Sequence, residues 1–194
     1  SGIIAAFERF FPQDEVAGPV LDLGCGPGDI AFRFAERFPD SEVIGVDGAA
    51  AMISLAQQRK DAEVVTGQRV SFIEGLLPDL PLPRLAYAAI ISNSLLHHLH
   101  DPAVLWEVIN RYAVSGTRIF IADLYRPQST ERARDLLERY AAAESEVLRR
   151  DFYHSLCAAF EPGEISVQLD SAGLQALSVD VITDRHLVVH GVMA

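Results

Sequence analysis

The feature that most constrains how this chain folds is a short apolar run that ends in three glycines at alternate positions. The run covers residues 20–23, and the glycines are Gly24, Gly26 and Gly28. Such a run is typical of a buried parallel strand. Glycine lets the backbone turn sharply and lets a ligand approach the main chain, while the free N–H groups of a following helix point toward that ligand. The stretch therefore predicts a strand, a ligand-binding loop and a helix in succession.

A second acidic marker follows in the same βαβ unit. Residues 42–47 are predicted to form the next strand, and Asp47 closes it. A carboxylate at that position can accept hydrogen bonds from both ribose hydroxyls of a nucleoside. The glycine spacing is G-x-G-x-G, whereas the dinucleotide fingerprint of Rossmann dehydrogenases is G-x-G-x-x-G. The two markers together indicate a nucleoside-binding domain.

These two pieces resemble the nucleoside half of class I S-adenosylmethionine-dependent methyltransferases, whose first motif is hh-D/E-h-G-x-G-x-G with an acidic residue closing the second strand. The matching residues are Asp22, the glycine loop and Asp47. The resemblance implies S-adenosylmethionine as cofactor, S-adenosylhomocysteine as product and no metal. It also implies that Asp22 and the Gly24 backbone hold the methionine amino group and that Asp47 binds the ribose. The other cofactor contacts that it implies are Cys25, Gly26, Gly28, Gly48, Met52, Gly75, Leu76 and Asn93.

The adenine end of this site departs from the family pattern. Relatives commonly have Gly-Asp-Ala after the third strand, whereas this chain has Gly75 and Leu76, so one acceptor for the adenine amino group is missing. Adenine is then left to backbone contacts and apolar walls. Met52, five residues past Asp47, either flanks the adenine or packs in the core, as methionines of amphipathic helices often do.

The order of the other elements predicts an α/β fold with one Rossmann-like, doubly wound domain over residues 1–194. Five strands linked by crossovers, followed by a closing hairpin, give a seven-stranded, mostly parallel sheet with a C-terminal antiparallel pair. The first helix, over residues 3–11, either covers the cofactor or simply packs on the sheet. A long helix over about 127–150 and a short one over 151–160 are expected to form a substrate-covering insertion at about 127–160.

Two histidines follow the predicted fourth strand, residues 86–92, at the sheet edge where such folds bind ligands. His97 and His98 are catalytic candidates, since histidine accepts a proton near neutral pH. A base is needed only if the acceptor arrives protonated, as an alcohol or ammonium does. Alternatively, one histidine caps a loop and the other packs or is solvated. Tyr125 and Arg126, just past the fifth strand, are candidates for contacting an acceptor carboxylate.

The charge of the chain bears on the class of acceptor. Sixteen basic and 27 acidic residues give a formal net charge of −11, and such a surface repels nucleic-acid backbones and anionic lipids. Residues 93–102 read N-S-h-h-H-H-h-x-D-P, which is similar to many small-molecule methyltransferases of this class. The run differs from the (D/N/S)-P-P-(Y/F) motif of amino-group nucleic-acid methyltransferases. We therefore expect a small-molecule acceptor and neither a nucleic-acid nor a membrane partner.

Other features indicate the surroundings of the protein. Cys25 and Cys157 lie far apart, which suggests neither a disulfide framework nor a metal site, so we expect a reducing, cytoplasmic location. The apolar stretches are too short to span a membrane, and the start lacks a signal-peptide pattern. The chain begins with Ser1 and not with Met, and the sequence does not indicate whether the native N-terminus is complete. The sequence does not indicate an oligomeric state.

The resulting hypothesis is an enzyme that transfers a methyl group from S-adenosylmethionine to a small molecule. One alternative is a nicotinamide-dependent oxidoreductase, which shares the fold and the acidic ribose ligand, although the glycine spacing and the terminal hairpin favour the methyltransferase. The other alternative is a non-catalytic protein that binds S-adenosylmethionine to regulate or scaffold a partner, which Leu76 leaves open.

Overall fold

The computed structural model describes residues 2–12, 15–80 and 82–194, so Ser1 lies outside it. The strands are β1 (Gly18–Leu23), β2 (Ser41–Asp47), β3 (Val70–Glu74), β4 (Ala89–Asn93), β5 (Arg118–Leu124), β6 (Ser178–Val181) and β7 (His186–Val192). They form a sheet in the order β3-β2-β1-β4-β5-β7-β6. β1 to β5 are parallel, while β7 is antiparallel to both β5 and β6. This confirms the expected fold class and the closing hairpin.

Seven α-helices within the described residues flank the sheet. They are α1 (Gly2–Phe10), α2 (Asp29–Arg37), α3 (Ala50–Ala62), α4 (Ala103–Tyr112), α5 (Thr130–Ala141), α6 (Glu146–Ala158) and α7 (Pro162–Ser171). Short 3₁₀ turns occur at Thr66–Arg69 and Leu96–His98. α7 begins with a capping box between Glu161 and Glu164, and Gly173 follows its end with a φ of 75°.

The predicted long helix over 127–150 is wrong, because the chain leaves helical conformation between α5 and α6. The side chain of Ser145 accepts a hydrogen bond from the N–H of Leu148 and so starts a new helix. The predicted short helix over 151–160 is the second half of α6. Val147 and Leu148 of α6 are 57% and 54% exposed. α6 packs on α5 and on the turn Leu96–His98.

The core lies on both faces of the sheet, which is why its central strands are apolar along their length. On one face Leu21 and Leu23 pack in the same cluster as Trp106 of α4. On the other face Phe7 of α1 lies edge-on to Phe34, with ring centroids 5.1 Å apart. The packing role expected for the first helix is therefore confirmed, while its role over the cofactor stays a prediction.

The topology fixes where a ligand can bind. β1 lies between β2 and β4, so the chain connections run away from it in opposite directions, and the loops after these strands leave a crevice at their carboxyl ends. Within residues 2–12, 15–80 and 82–194, we find no helix with the length and apolar character required to cross a membrane.

Candidate functional site

The glycine loop after β1 has one residue that faces open space. Gly24, Gly26 and Gly28 have φ angles of 69°, 53° and 86°, a region that side-chain-bearing residues rarely adopt. A Cβ on Gly24 would lie 2.9 Å from Leu95, and one on Gly28 would lie 2.7 Å from Phe72, so both are needed for internal packing. A Cβ on Gly26 would meet no atom within 4 Å. Gly26 therefore marks the side of the loop that is open to a ligand.

Asp47 ties this loop to the end of β2. Its Oδ2 accepts a hydrogen bond from the N–H of Gly26 at 2.9 Å, and its Oδ1 accepts one from the N–H of Ala49 at 2.8 Å. The N–H groups of Gly24 and Cys25 both donate to the carbonyl of Val46, at 2.8 and 3.0 Å. Each carboxylate oxygen of Asp47 keeps a further lone pair, so two hydroxyl donors still fit.

Asp22, near the end of β1, is a buried carboxyl group with an unsatisfied oxygen. The residue is 1% exposed, and its Oδ2 has no hydrogen-bond partner. Burial and then the charge of Asp47 raise the pKa of Asp22 to about 8, while the N–H of Ala31 acts in the opposite direction. An enclosed carboxyl oxygen without a donor is rare in folded proteins and indicates a place for a cation or donor from outside the chain.

Cys25 contributes its backbone to the loop, and its thiol is inert. Burial, followed by the charges of Asp22 and Asp47, raises the pKa of this thiol. The Sγ atom lies where a side chain on Gly45 would have to sit, because a Cβ there would be 2.9 Å from it. The thiol therefore fills space beside β2 and is not a nucleophile.

The loops after β2 and β3 form a cleft beside Asp47. The cleft has a volume of about 400 Å³ and is lined by Gly48, Glu74, Gly75, Leu76, Leu77 and Asp79. Leu76 is 73% exposed and lies over Gly48, where a Cβ would be only 2.4 Å from its Cδ2. Met52 on α3 is 39% exposed, which excludes the core-packing alternative for it. Gly48, Gly75 and Leu76 thus line this cleft, and Met52 lies on α3.

The two candidate histidines lie side by side in the turn after β4 but in different surroundings. His97 is buried, and its Nδ1 lies 2.5 Å from Oδ1 of Asp123. His98 is exposed, and its ring centroid lies 4.0 Å from that of His97. Partial burial and then the neighbouring His97 lower the pKa of His98, while Asp123 acts in the opposite direction. His97 is thus the ring that is held by a side-chain hydrogen bond, to Asp123.

Asp123 is a residue of this edge that the sequence reasoning missed. It lies near the end of β5 after an apolar run, Ile119 to Ala122, so a signal similar to that of Asp47 is present in the sequence. Its Oδ2 accepts from the N–H of Leu96 at 2.7 Å, and its Oδ1 accepts from the N–H of Leu124 at 2.6 Å as well as contacting His97. Asp123 therefore joins β5 to the turn that carries the histidines.

Two further candidates are engaged within the protein. Asn93, at the end of β4, donates from Nδ2 to the hydroxyl of Ser94 at 3.1 Å. Arg126 pairs with Glu164 at 2.6 Å and with Glu161 at 3.4 Å, so its guanidinium holds the start of α7. Within the described ranges, we find no group of three or more potential ligand side chains placed to hold a metal ion.

The doubly wound sheet, the open glycine loop and the acidic residue at the end of β2 are together typical of a nucleoside-binding α/β protein. The model of a family described as a methyltransferase domain matches residues 20–116, which is half of the chain. The chain therefore belongs to the methyltransferase domain family, and the resemblance drawn from its motifs is confirmed.

Individual relatives agree with this family. The chain is 38% identical over 108 residues to demethylmenaquinone methyltransferase of Thermus thermophilus, covering 56% of this chain and 48% of the relative. It is 30% identical over 167 residues to trans-aconitate 2-methyltransferase of Methylobacterium radiotolerans, covering 72% of this chain and 63% of the relative. The chain thus spans about half to two thirds of the length of these relatives.

Solved structures agree on the fold. A crystal structure of a SAM-dependent methyltransferase from Aquifex aeolicus superposes with a TM-score of 0.72 at 15% identity, covering 100% of this chain and 90% of that one. At this identity the likeness supports the fold of the sheet and its flanking helices.

Proposed function

We propose that this protein transfers a methyl group from S-adenosylmethionine to a small-molecule acceptor. The observation that carries the proposal is the enclosed, partnerless Oδ2 of Asp22 beside an open glycine loop. A cation or hydrogen-bond donor is what such an oxygen lacks, and the methionine ammonium of the cofactor is both.

The residues at the crevice suit the rest of the cofactor. Asp22 and the Gly24 backbone would hold the ammonium, and Asp47 would accept from the ribose hydroxyls. The remaining residues that would contact the cofactor are Cys25, Gly26, Gly28, Gly48, Met52, Gly75, Leu76 and Asn93. When bound, S-adenosylmethionine supplies a methyl group on a positively charged sulfur. The chain has to align an acceptor with that methyl and keep water away, and His97 and His98 are the candidates for removing a proton.

The class of acceptor is proposed from charge and from the relatives. A net charge of −11 disfavours nucleic acid, and the relatives are named for a quinone and for a tricarboxylic acid. In our proposal residues 1–194 act as one catalytic domain, and α5 and α6, within about 127–160, cover the acceptor. The two free cysteines support a cytoplasmic location.

Calorimetry with S-adenosylhomocysteine tests the cofactor site. We expect binding by the wild-type protein and an affinity about tenfold lower for Asp47→Ala, because two hydrogen bonds are lost. Asp170→Ala, at an exposed position of α7, is the matched control and should bind like wild type. Binding of NADH without binding of S-adenosylhomocysteine would overturn the proposal.

A further inference from the structure

The hydrogen bond between His97 and Asp123 fixes which nitrogen of the imidazole carries the proton. Nδ1 faces a carboxylate oxygen that can only accept, so neutral His97 is protonated on Nδ1 and its Nε2 is a free acceptor. Nε2 makes no hydrogen bond to the residues that the structure describes. It is also not among their fully enclosed partnerless atoms, which are Oδ2 of Asp22 and the hydroxyl of Tyr87. The nitrogen with the free lone pair is therefore not sealed off completely by the residues around it, in a side chain that is 4% exposed.

The carboxylate of Asp123 is held rigidly in the position in which it contacts the His97 ring. The residue is 1% exposed, and its two oxygens receive the N–H groups of Leu96 and Leu124 together with the imidazole. Two backbone donors fix the carboxylate, and the carboxylate fixes the ring. This is the geometry by which a carboxylate orients a general base and stabilises the imidazolium that forms on it.

The position of the turn places His97 beside the proposed cofactor loop. Leu95, two residues before His97, is the side chain that would collide with a Cβ on Gly24. On its other side the turn packs against α6. His97 therefore lies between the glycine loop and the helical insertion, where the cofactor and a covered acceptor would meet.

An acceptor with a hydroxyl group suits a general base at His97 better than one with a carboxylate. A carboxylate needs a cation, and Arg126, the guanidinium just past β5, is already paired with Glu161 and Glu164. A carboxylate is also ionised at neutral pH, so it has no proton for a base to remove. A phenolic or alcoholic hydroxyl needs no cation and does have a proton to lose.

We propose that Asp123 is a positioning residue that holds His97 as the general base for a hydroxyl-bearing acceptor, a role that rests on the proposed methyl transfer. The hydroxyl proton moves to Nε2 of His97 while the acceptor oxygen bonds to the methyl carbon. The carbon–sulfur bond breaks and its electron pair stays on sulfur. The products are a methyl ether, S-adenosylhomocysteine and a His97 imidazolium paired with Asp123. The imidazolium then releases its Nε2 proton to water.

The first test needs neither cofactor nor acceptor. Nitrogen-15 NMR of the free protein, at a pH where histidines are neutral, reports which ring nitrogen bears hydrogen, and His97→Gln assigns the signal. We expect His97 to carry hydrogen on Nδ1 and a bare Nε2, and Asp123→Asn to reduce that preference. His190 supplies the opposite pattern in the same spectrum, since its Nε2 lies 2.7 Å from Asp180. A hydrogen on Nε2 of His97 would overturn the proposal.

The second test measures turnover with 1,4-dihydroxynaphthalene under argon and with trans-aconitate, each with S-adenosylmethionine. On the hydroxyl probe we expect His97→Gln to lower kcat by about 10²-fold or more and Asp123→Asn by about tenfold, with KM unchanged. The affinity for S-adenosylhomocysteine should stay at the wild-type value in both, which shows that they fold. The remote pair variants His190→Gln and Asp180→Asn should keep full kcat.

The outcomes separate the two proposals. Wild-type kcat in His97→Gln, turnover of trans-aconitate alone, a carbon-methylated product, or no turnover of the hydroxyl probe by a protein that binds S-adenosylmethionine would each reject the base proposal. Failure of the wild-type protein to bind S-adenosylhomocysteine would reject the proposed function itself, while the NMR result would still decide how His97 is held.

Discussion

Asp22 and Asp123 are both aspartates at the carboxyl ends of parallel strands, and both are 1% exposed, yet their surroundings are opposite. Asp123 receives two backbone N–H groups and an imidazole, whereas Oδ2 of Asp22 receives nothing. Burial raises the pKa of Asp22 to about 8, with the charge of Asp47 adding to the effect. Because the two residues are equally buried, they differ in their hydrogen-bond partners and not in their burial.

The difference shows that the hydrogen-bond partners of a buried carboxylate indicate its role. When its acceptor sites are filled by the chain, as in Asp123, the group organises its own neighbours. When one oxygen is left without a donor, as in Asp22, the missing donor comes from a ligand or the group keeps its proton. Asp123 thus holds the chain's own turn in place, and Asp22 is the carboxylate that we propose as part of the binding site.

The largest expected effect is on the pH dependence of stability and concerns Asp22. In the unfolded chain an aspartate loses its proton near pH 4, whereas folded Asp22 keeps it until about pH 8. The folded state binds more protons between these values, so its stability falls as pH rises through that window and is level above it. Asp22→Asn should abolish this fall, a difference of the order of 5 kcal/mol across the window.

Urea unfolding at several pH values between 4 and 9 measures this difference. Asp170→Asn, exposed on α7, is the control and should reproduce the wild-type slope. Parallel curves for wild type and Asp22→Asn would show that Asp22 is ionised when folded, and the contrast with Asp123 would then disappear.

The second effect tests the saturated carboxylate. Asp123→Ala leaves two backbone N–H groups and His97 without their acceptor, and we expect the free energy of unfolding to fall by about 3 kcal/mol. Asp180→Ala removes the partner of His190 from a side chain that is 56% exposed, so its loss should be below about 1 kcal/mol. Equal losses in chemical denaturation would mean that the network around Asp123 contributes no more than a surface pair.

The smallest effect sharpens the open side of the Asp22 site. Gly26→Ala should lower the free energy of unfolding by only about 1 kcal/mol, from the cost of a positive φ, but weaken binding of S-adenosylhomocysteine about tenfold or more. Gly116→Ala is matched to it, because Gly116 has a φ of 89° and its Cβ would also meet open space. It should lose similar stability and bind normally. If calorimetry showed normal binding by Gly26→Ala, the ligand would not bind at the open side of the glycine loop.

Whether a structural feature could be predicted from the sequence depends on how far apart along the chain the residues that determine it lie. The strand, glycine loop and Asp47 were predictable because a few adjacent residues fix their backbone. The break between α5 and α6 was not, since Ala142 and Ala143 favour continued helix and only the Ser145 cap with packing on α5 ends it. The start of β4 at Ala89 instead of residue 86 is a boundary difference of the usual size.

Candidate residues could be named from the sequence, but their hydrogen-bond partners and their protonation could not. Asp22, Asp47 and His97 could each be named from local patterns. The partner of His97 could not, because Asp123 lies 26 positions away in the chain. Nor could the empty acceptor on Asp22, which exists only once the sheet has closed around it.

A carboxyl group that stays protonated in neutral solution changes the electrical description of the crevice. The formal charge of −11 counts Asp22 as an anion, so the unliganded chain carries about one unit less negative charge than this sum at that position. Binding of an ammonium group beside Asp22 would release a proton to the solvent, so the heat of binding would depend on the ionisation enthalpy of the buffer.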